Sequence, residues 1–150
     1  MGELGSMAPS LIDKVNTLIN ASLHGMVDRA LQQNSVAVMD EYIRQAEKNL
    51  EALEDSAATV GGTVRTLKRK YDEFAAAAEK LDRDIDTLIL KGKNDLAAAA
   101  QAELNTKQQL AQDYYEQWQH QDQQYNAMLD MRMKLEARLT SIRQEREQLR

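Results

Sequence analysis

At 150 residues, 43% hydrophobic and 5% aromatic, the chain has one domain's length and too few bulky apolar groups for a compact multi-layer enzyme. One Pro, six Gly and an abundance of Ala, Leu, Gln and charged residues is the composition of long helices, and the absence of Cys excludes disulfides, thiolate nucleophiles and cysteine-bound metal. The formal charge of −5 divides as three acids against two bases over residues 1–33, twelve against eight over 34–90 and nine against nine over 91–150, so no basic segment suits nucleic acid.

In chain order, Met1 to Ser6 precede a second possible start at Met7. The Gly5-Ser6 step looks like a cloning junction, and residues 1–6 are read as a tag remnant. Residues 7–32 follow as an amphipathic leading helix. Within 10–31, Leu11, Ile12, Val15, Leu18, Ile19, Leu23 and Met26 fall within an arc of roughly 140° at 100° per residue. Asp13, Thr17, Asn20, His24 and Asp28 lie largely on the other side. Such a helix, able to move independently, can pack on the rest of the chain, on a neighbouring subunit or in a lipid interface, and periodicity leaves all three open. Its charges Asp13, Lys14, Asp28 and Arg29 cancel, so lipid binding would rest on apolar insertion.

Gln32-Gln33-Asn34-Ser35 interrupts the period, with Asn34 or Ser35 able to cap the next helix. From Val36, alternate steps of three and four reach Met39, Ile43, Ala46 and onward to Leu88, sixteen positions that are all apolar. A 3.5-residue period held this long predicts one supercoiling helix, about 80 Å in length. Inside it, Gly61-Gly62 is read either as relief of crowding opposite Tyr125 or as a bend. The phase is lost at Lys91-Gly92-Lys93-Asn94-Asp95, which offers a helix-ending Gly and then Asn or Asp as a cap.

The same stepping from Ala97 to Leu149 gives a second arm in which twelve of sixteen positions are apolar, the exceptions being Lys107, Gln121, Arg132 and Arg146. The expected fold is all-α: a long antiparallel coiled-coil helical hairpin over 34–150, with arms at about 35–90 and 95–150, preceded by the short amphipathic helix. Opposed positions then sum to about 185, placing Phe74 over Ala111 and Leu149 opposite Val36. Both arms run out together at Arg150, as they would in a fragment trimmed to its hairpin.

Chemistry-bearing motifs are weak. Asp82, Asp84 and Asp86 start like a calcium loop, but Thr87 and Lys93 stand where Gly and Glu are needed. Glu116 and His120, with Asp113 nearby, make at most half a metal site. Lys68-Arg69-Lys70 and His24 read as solvated surface, and no phosphate-binding glycine loop is present. Among the aromatic residues of the second arm, Tyr114, Trp118 and Tyr125 take seam positions, while Tyr115 lies beside the seam as a possible partner surface. No catalytic residue, cofactor or metal is expected.

The amphipathic start, the break, the run from Met39 to Leu50 and the turn from Lys91 to Ala97 together resemble the phage shock protein A and vesicle-inducing protein in plastids family, over about residues 9–150. The most specific piece is the turn. There the family pattern Gly-Arg-Glu-Asp-Leu-Ala is met at Gly92, Asp95, Leu96 and Ala97, with Lys93 for Arg and Asn94 departing. The break departs too, because Gln33-Asn34-Ser35 stands where the family commonly has an acidic residue and Asp-Pro. The resemblance implies a bacterial relative of ESCRT-III. Such a protein is cytoplasmic, peripheral on the inner membrane and active in stress response and membrane remodelling, and its hairpins form homo-oligomers. Its leading helix would bind membrane lipids through Leu11, Ile12, Val15, Leu18, Ile19, Leu23 and Met26. The resemblance also implies an alternative, a regulatory module that binds and inhibits an AAA+ transcription activator through the hairpin. Nucleic acid is not an expected partner. The family normally continues into further C-terminal helices.

Overall fold

The computed structural model describes residues 10–149, and every regular element among them is α-helical. The tag assignment at 1–6, the first residues of the leading segment and Arg150 lie outside the described residues. Ser10 caps α1 (Leu11–Asn20): its hydroxyl accepts from the Asp13 amide at 3.1 Å, and the Asp13 carboxylate accepts from the Ser10 amide at 3.4 Å. Each bond satisfies an amide that the first helical turn leaves without a partner.

The single leading helix expected over 10–31 is two helices. Ala21 and Ser22 are extended, and Ser22 caps α2 (Leu23–Gln33) by accepting from the Gly25 amide at 2.9 Å. A serine hydroxyl competes with the helical ladder in this way wherever the backbone is given another use for its carbonyls. At the far end of α2, Asn34 takes a left-handed conformation, φ 52°. The Ser35 amide then donates to the Ala30 carbonyl and the Asn34 amide to that of Leu31. Ser35 turns its hydroxyl to the Ala37 amide at 3.1 Å, which starts α3 (Ala37–Leu90). Asn34 therefore ends one helix and Ser35 begins the next.

The turn after α3 repeats the first device. Gly92 has φ 71°, the Lys93 amide donates to Leu88 at 2.9 Å and the Gly92 amide to Ile89 at 3.0 Å. These bonds occupy carbonyls that the helix end leaves free, and glycine adopts the left-handed backbone without a Cβ penalty. The next helix, α4 (Asn94–Gln148), begins earlier than a cap at Asn94 or Asp95 would allow. Lys93 holds that position, its carbonyl accepting from the Ala97 amide at 3.0 Å, and Asp95 sits in the first turn. A carboxylate there complements the positive helix end.

Helices α3 and α4 pack against each other as the expected hairpin. Every position of the row from Val36 to Leu88 is buried or half-buried, and in the row from Ala97 to Leu149 only Arg132 is exposed. Three of the four non-apolar seam residues carry their charges out of the seam on long stems. Lys107 lays its ammonium over the Phe74 ring at 5.5 Å, Arg132 reaches Glu54 at 2.9 Å and Arg146 reaches Asp40. The Asp40 carboxylate beside it raises the Arg146 guanidinium further above its ordinary value.

The chain divides into two compact units, one made of the chain up to Thr59 and from Asn126 onward, the other of Val60–Tyr125. In the first, Met39, Leu53, Leu135, Ile142 and Val15 are the largest fully buried side chains, and Glu47–Arg143 joins the two ion pairs above. In the second, Ala78, Ile85 and Leu104 form a core flanked by Leu81 and Ala100. There Phe74 stacks on Tyr114 with centroids 5.6 Å apart, and Tyr71 stacks on Trp118 at 6.1 Å. In each unit, cross-hairpin pairs such as Glu54 with Arg132 and Gly61 with Tyr125 have numbers summing to 186, within one of the expected register.

Of the two readings of Gly61-Gly62, the close approach has direct support. A Cβ on Gly61 would lie 2.9 Å from Tyr125 Cε1, whereas one on Gly62 would meet nothing nearer than Arg65 Nη2 at 3.8 Å. Thermal unfolding should therefore separate the neighbours. Gly62→Ala is expected to gain about 0.5–1 kcal/mol from helix propensity. Gly61→Ala is expected to be destabilising, because moving an aromatic ring in a packed seam costs about 1–3 kcal/mol. Equal shifts from the two variants would contradict the crowding.

Candidate functional site

The seven apolar residues of the leading segment are distributed over α1 and α2, and these helices turn them toward the hairpin. Val15 is fully buried and Met26 nearly so; Leu11, Leu18, Ile19 and Leu23 are half-buried, and Ile12 is 36% exposed. Ala30, which continues the same stripe, is buried as well. The middle of the apolar arc makes the contact and its edge faces out. Of the three placements that periodicity leaves open, packing on the chain's own hairpin is the one adopted here, and the leading segment is docked rather than independent.

Two hydrogen bonds hold the segment at its break. Tyr42 on α3 donates its hydroxyl to the Leu18 carbonyl at 2.6 Å, and Arg138 on α4 donates to the Ala21 carbonyl. Burial raises the Tyr42 phenol above its ordinary value, and the Arg138 guanidinium beside it opposes that rise. Asn49, two turns beyond Tyr42, is buried too, its amide donating to the Gln45 carbonyl at 2.8 Å. Gln45 and Asn49 line a shallow groove with Lys14, Thr17 and Leu18, which marks the face of α3 that receives α1. The sequence reading missed Tyr42 and Arg138. A legible signal existed: Tyr42 and Asn49 are seven residues apart and lie off the seam, so they mark a second stripe on α3.

The outer side of the segment is polar and internally paired. His24 lies 3.3 Å from Asp28, and Thr17 donates to the Asp13 carbonyl at 2.9 Å. No net charge gathers there.

The turn residues Gly92, Asp95, Leu96 and Ala97 are together at the hairpin turn but do different things. Gly92 supplies the backbone, Asp95 the helix start and Ala97 a buried contact, while Leu96 is 56% exposed. Ile89 and Leu90 are exposed beside it. Tyr115, expected beside the seam, is 39% exposed and is the outer member of an aromatic cluster. Its ring lies 5.4 Å from Tyr71 and meets Trp118 edge-on at 5.7 Å, with the Lys68 ammonium 5.3 Å from the indole.

The polar motifs are surface pairs along single helices. Lys80 bonds Asp84 at 2.9 Å, Gln112 donates to Glu116 at 3.0 Å, Gln109 donates to Asp113 at 2.9 Å, and His120 contacts Gln124. Among the described residues no group of three His, Cys, Asp or Glu side chains is placed to hold a metal ion, and no helix is long and apolar enough to cross a membrane.

The model of the PspA/IM30 family matches residues 10–150. No curated protein and no solved structure matches the chain.

Proposed function

Because this chain belongs to the PspA/IM30 family, a membrane-associated stress-response family without enzymatic activity, we propose that it acts as a peripheral membrane protein whose leading segment enters the lipid interface. The observation that carries this reading is the stripe Leu11, Ile12, Val15, Leu18, Ile19, Leu23 and Met26. It is apolar throughout, it lies on short helices capped at both starts, and its flanking charges balance. An interfacial helix needs that pattern. Each of these side chains contributes about 1.5–3 kcal/mol on leaving water, against which stands the entropy of ordering the segment. With Asp13, Lys14, Asp28 and Arg29 cancelling, binding is salt-tolerant and sensitive to lipid packing. In this reading the protein works at the cytoplasmic face of the membrane, and self-assembly of the hairpins maintains or remodels the surface on which the segments sit.

Co-sedimentation with liposomes tests it through Leu18→Asp. Loss of one apolar anchor is worth about 2–3 kcal/mol, so vesicle affinity should fall by roughly 30-fold or more. Undiminished binding by this variant would refute the anchor.

A further inference from the structure

We propose that the break at Ala21 and Ser22 is one position of a two-state switch. Docked on the hairpin, the leading segment is two helices; released, it is one continuous helix whose whole apolar stripe is available to a lipid surface. The lipid half of this inference rests on the membrane reading above, and the conformational half on hydrogen bonding alone.

The carbonyls at the break show the exchange. In a continuous helix the Leu18 carbonyl would accept from the Ser22 amide and the Ala21 carbonyl from the Gly25 amide. Here Leu18 accepts from the Tyr42 hydroxyl, Ala21 accepts from Arg138, and the Gly25 amide goes to the Ser22 hydroxyl. The hairpin thus supplies the donors, and the serine the acceptor, that a continuous ladder would otherwise provide. Both carbonyls and the Gly25 amide thus have partners in either state, a condition for two arrangements to be close in free energy.

The sequence is written for the continuous form. The apolar residues before the break (Leu11, Val15, Leu18) and those after it (Leu23, Met26, Ala30) keep a single helical phase, although two separate helices have no need of one. Ser22 falls inside that stripe, and its hydroxyl is used in the docked form to cap α2. In the docked state the middle of the stripe, at Val15, Met26 and Ala30, is covered. A lipid surface can take up the full stripe only after the hairpin gives it up, so docking and membrane binding compete for the same side chains. Tyr42 and Arg138 are the positioning residues that set the balance.

Substitutions in the full chain separate the two states. Tyr42→Phe removes one donor to the break without changing shape. It should raise amide exchange over residues 11–33 in the absence of lipid by about three- to tenfold and tighten binding to vesicles of mixed phosphatidylglycerol and phosphatidylcholine by a similar factor. Ser22→Pro acts the other way. Ser22 has φ −78° and follows an extended Ala21, a backbone that proline accepts, whereas proline in the middle of a continuous helix is strongly disfavoured. This variant gives up the Ser22 cap, so amide exchange should rise at the start of α2 around Gly25, but it should stay docked, with exchange over residues 11–20 near that of the parent, and lose at least tenfold in vesicle affinity. If Tyr42→Phe accelerates exchange while the parent chain binds no vesicles, the switch stands and the membrane reading falls. If the parent binds vesicles but Tyr42→Phe changes neither readout, or Ser22→Pro binds as the parent does, the switch is wrong.

Discussion

Leu135→Ala is expected to lower the free energy of unfolding by about 2–5 kcal/mol, a large fraction of what holds a domain of this size together. The side chain is 0% exposed in the first unit, on the α4 seam, where Leu53 and Ile142 are 0% exposed as well. Two long helices meeting along a narrow seam have few neighbours able to collapse into a void, so the loss contains a cavity as well as the transfer of the missing carbons. Urea unfolding followed by far-ultraviolet circular dichroism reads the effect as a lower midpoint with an unchanged slope. Met133→Ala is the contrast. That side chain lies two residues away and is 62% exposed, so its truncation should stay within about 0.5 kcal/mol. Similar losses at the two positions would mean that the seam does not carry the stability.

The second large effect is on binding. A chain lacking residues 10–33 should no longer sediment with vesicles, because all seven anchoring residues are removed with it, while the α3–α4 hairpin keeps its far-ultraviolet spectrum. Its melting temperature should fall by a few degrees, since the deletion uncovers Tyr42 and Asn49 and removes the burial of Val15, Met26 and Ala30. Vesicle binding that survives the deletion would point to a different apolar surface, with Ile89, Leu90 and Leu96 at the hairpin turn as the exposed candidates. Loss of helix along with binding would instead show that the segment is part of the hairpin's fold.

The hairpin was legible because a heptad row states its own partner. Sixteen apolar positions from Val36 to Leu88, a glycine at the turn and a second row from Ala97 leave one antiparallel register, and the Gly61–Tyr125 contact agrees with it to within one residue. Even the polar seam residues follow from their type, since Lys107 and Arg132 have stems long enough to lift their charges out. The break at Ala21 and Ser22 was not legible. Local pattern favours a continuous helix there, and what overrides it is a pair of donors far along the chain, Tyr42 and Arg138. Periodicity marks the receiving face, through the second stripe at Tyr42 and Asn49, but not which backbone carbonyls its donors will take. The docked placement of the apolar stripe was hidden for the same reason: a face made for lipid and a face made for a neighbouring helix are spelled with the same residues.

The turn at Gly92 also dictates an order of events. Contacts near it close loops of a few residues, whereas pairing Asp40 with Arg146 joins positions more than a hundred residues apart, and the entropy of closure grows with that separation. Pairing that spreads outward from Gly92 meets each new contact with the preceding one already made, so every step closes a short loop. Arg138 can come to rest beside Tyr42 only near the end of that progression. A nascent chain on the ribosome therefore carries its apolar leading segment without a complete docking surface until Arg138 has emerged, and that interval is when the segment is most open to whatever else it meets.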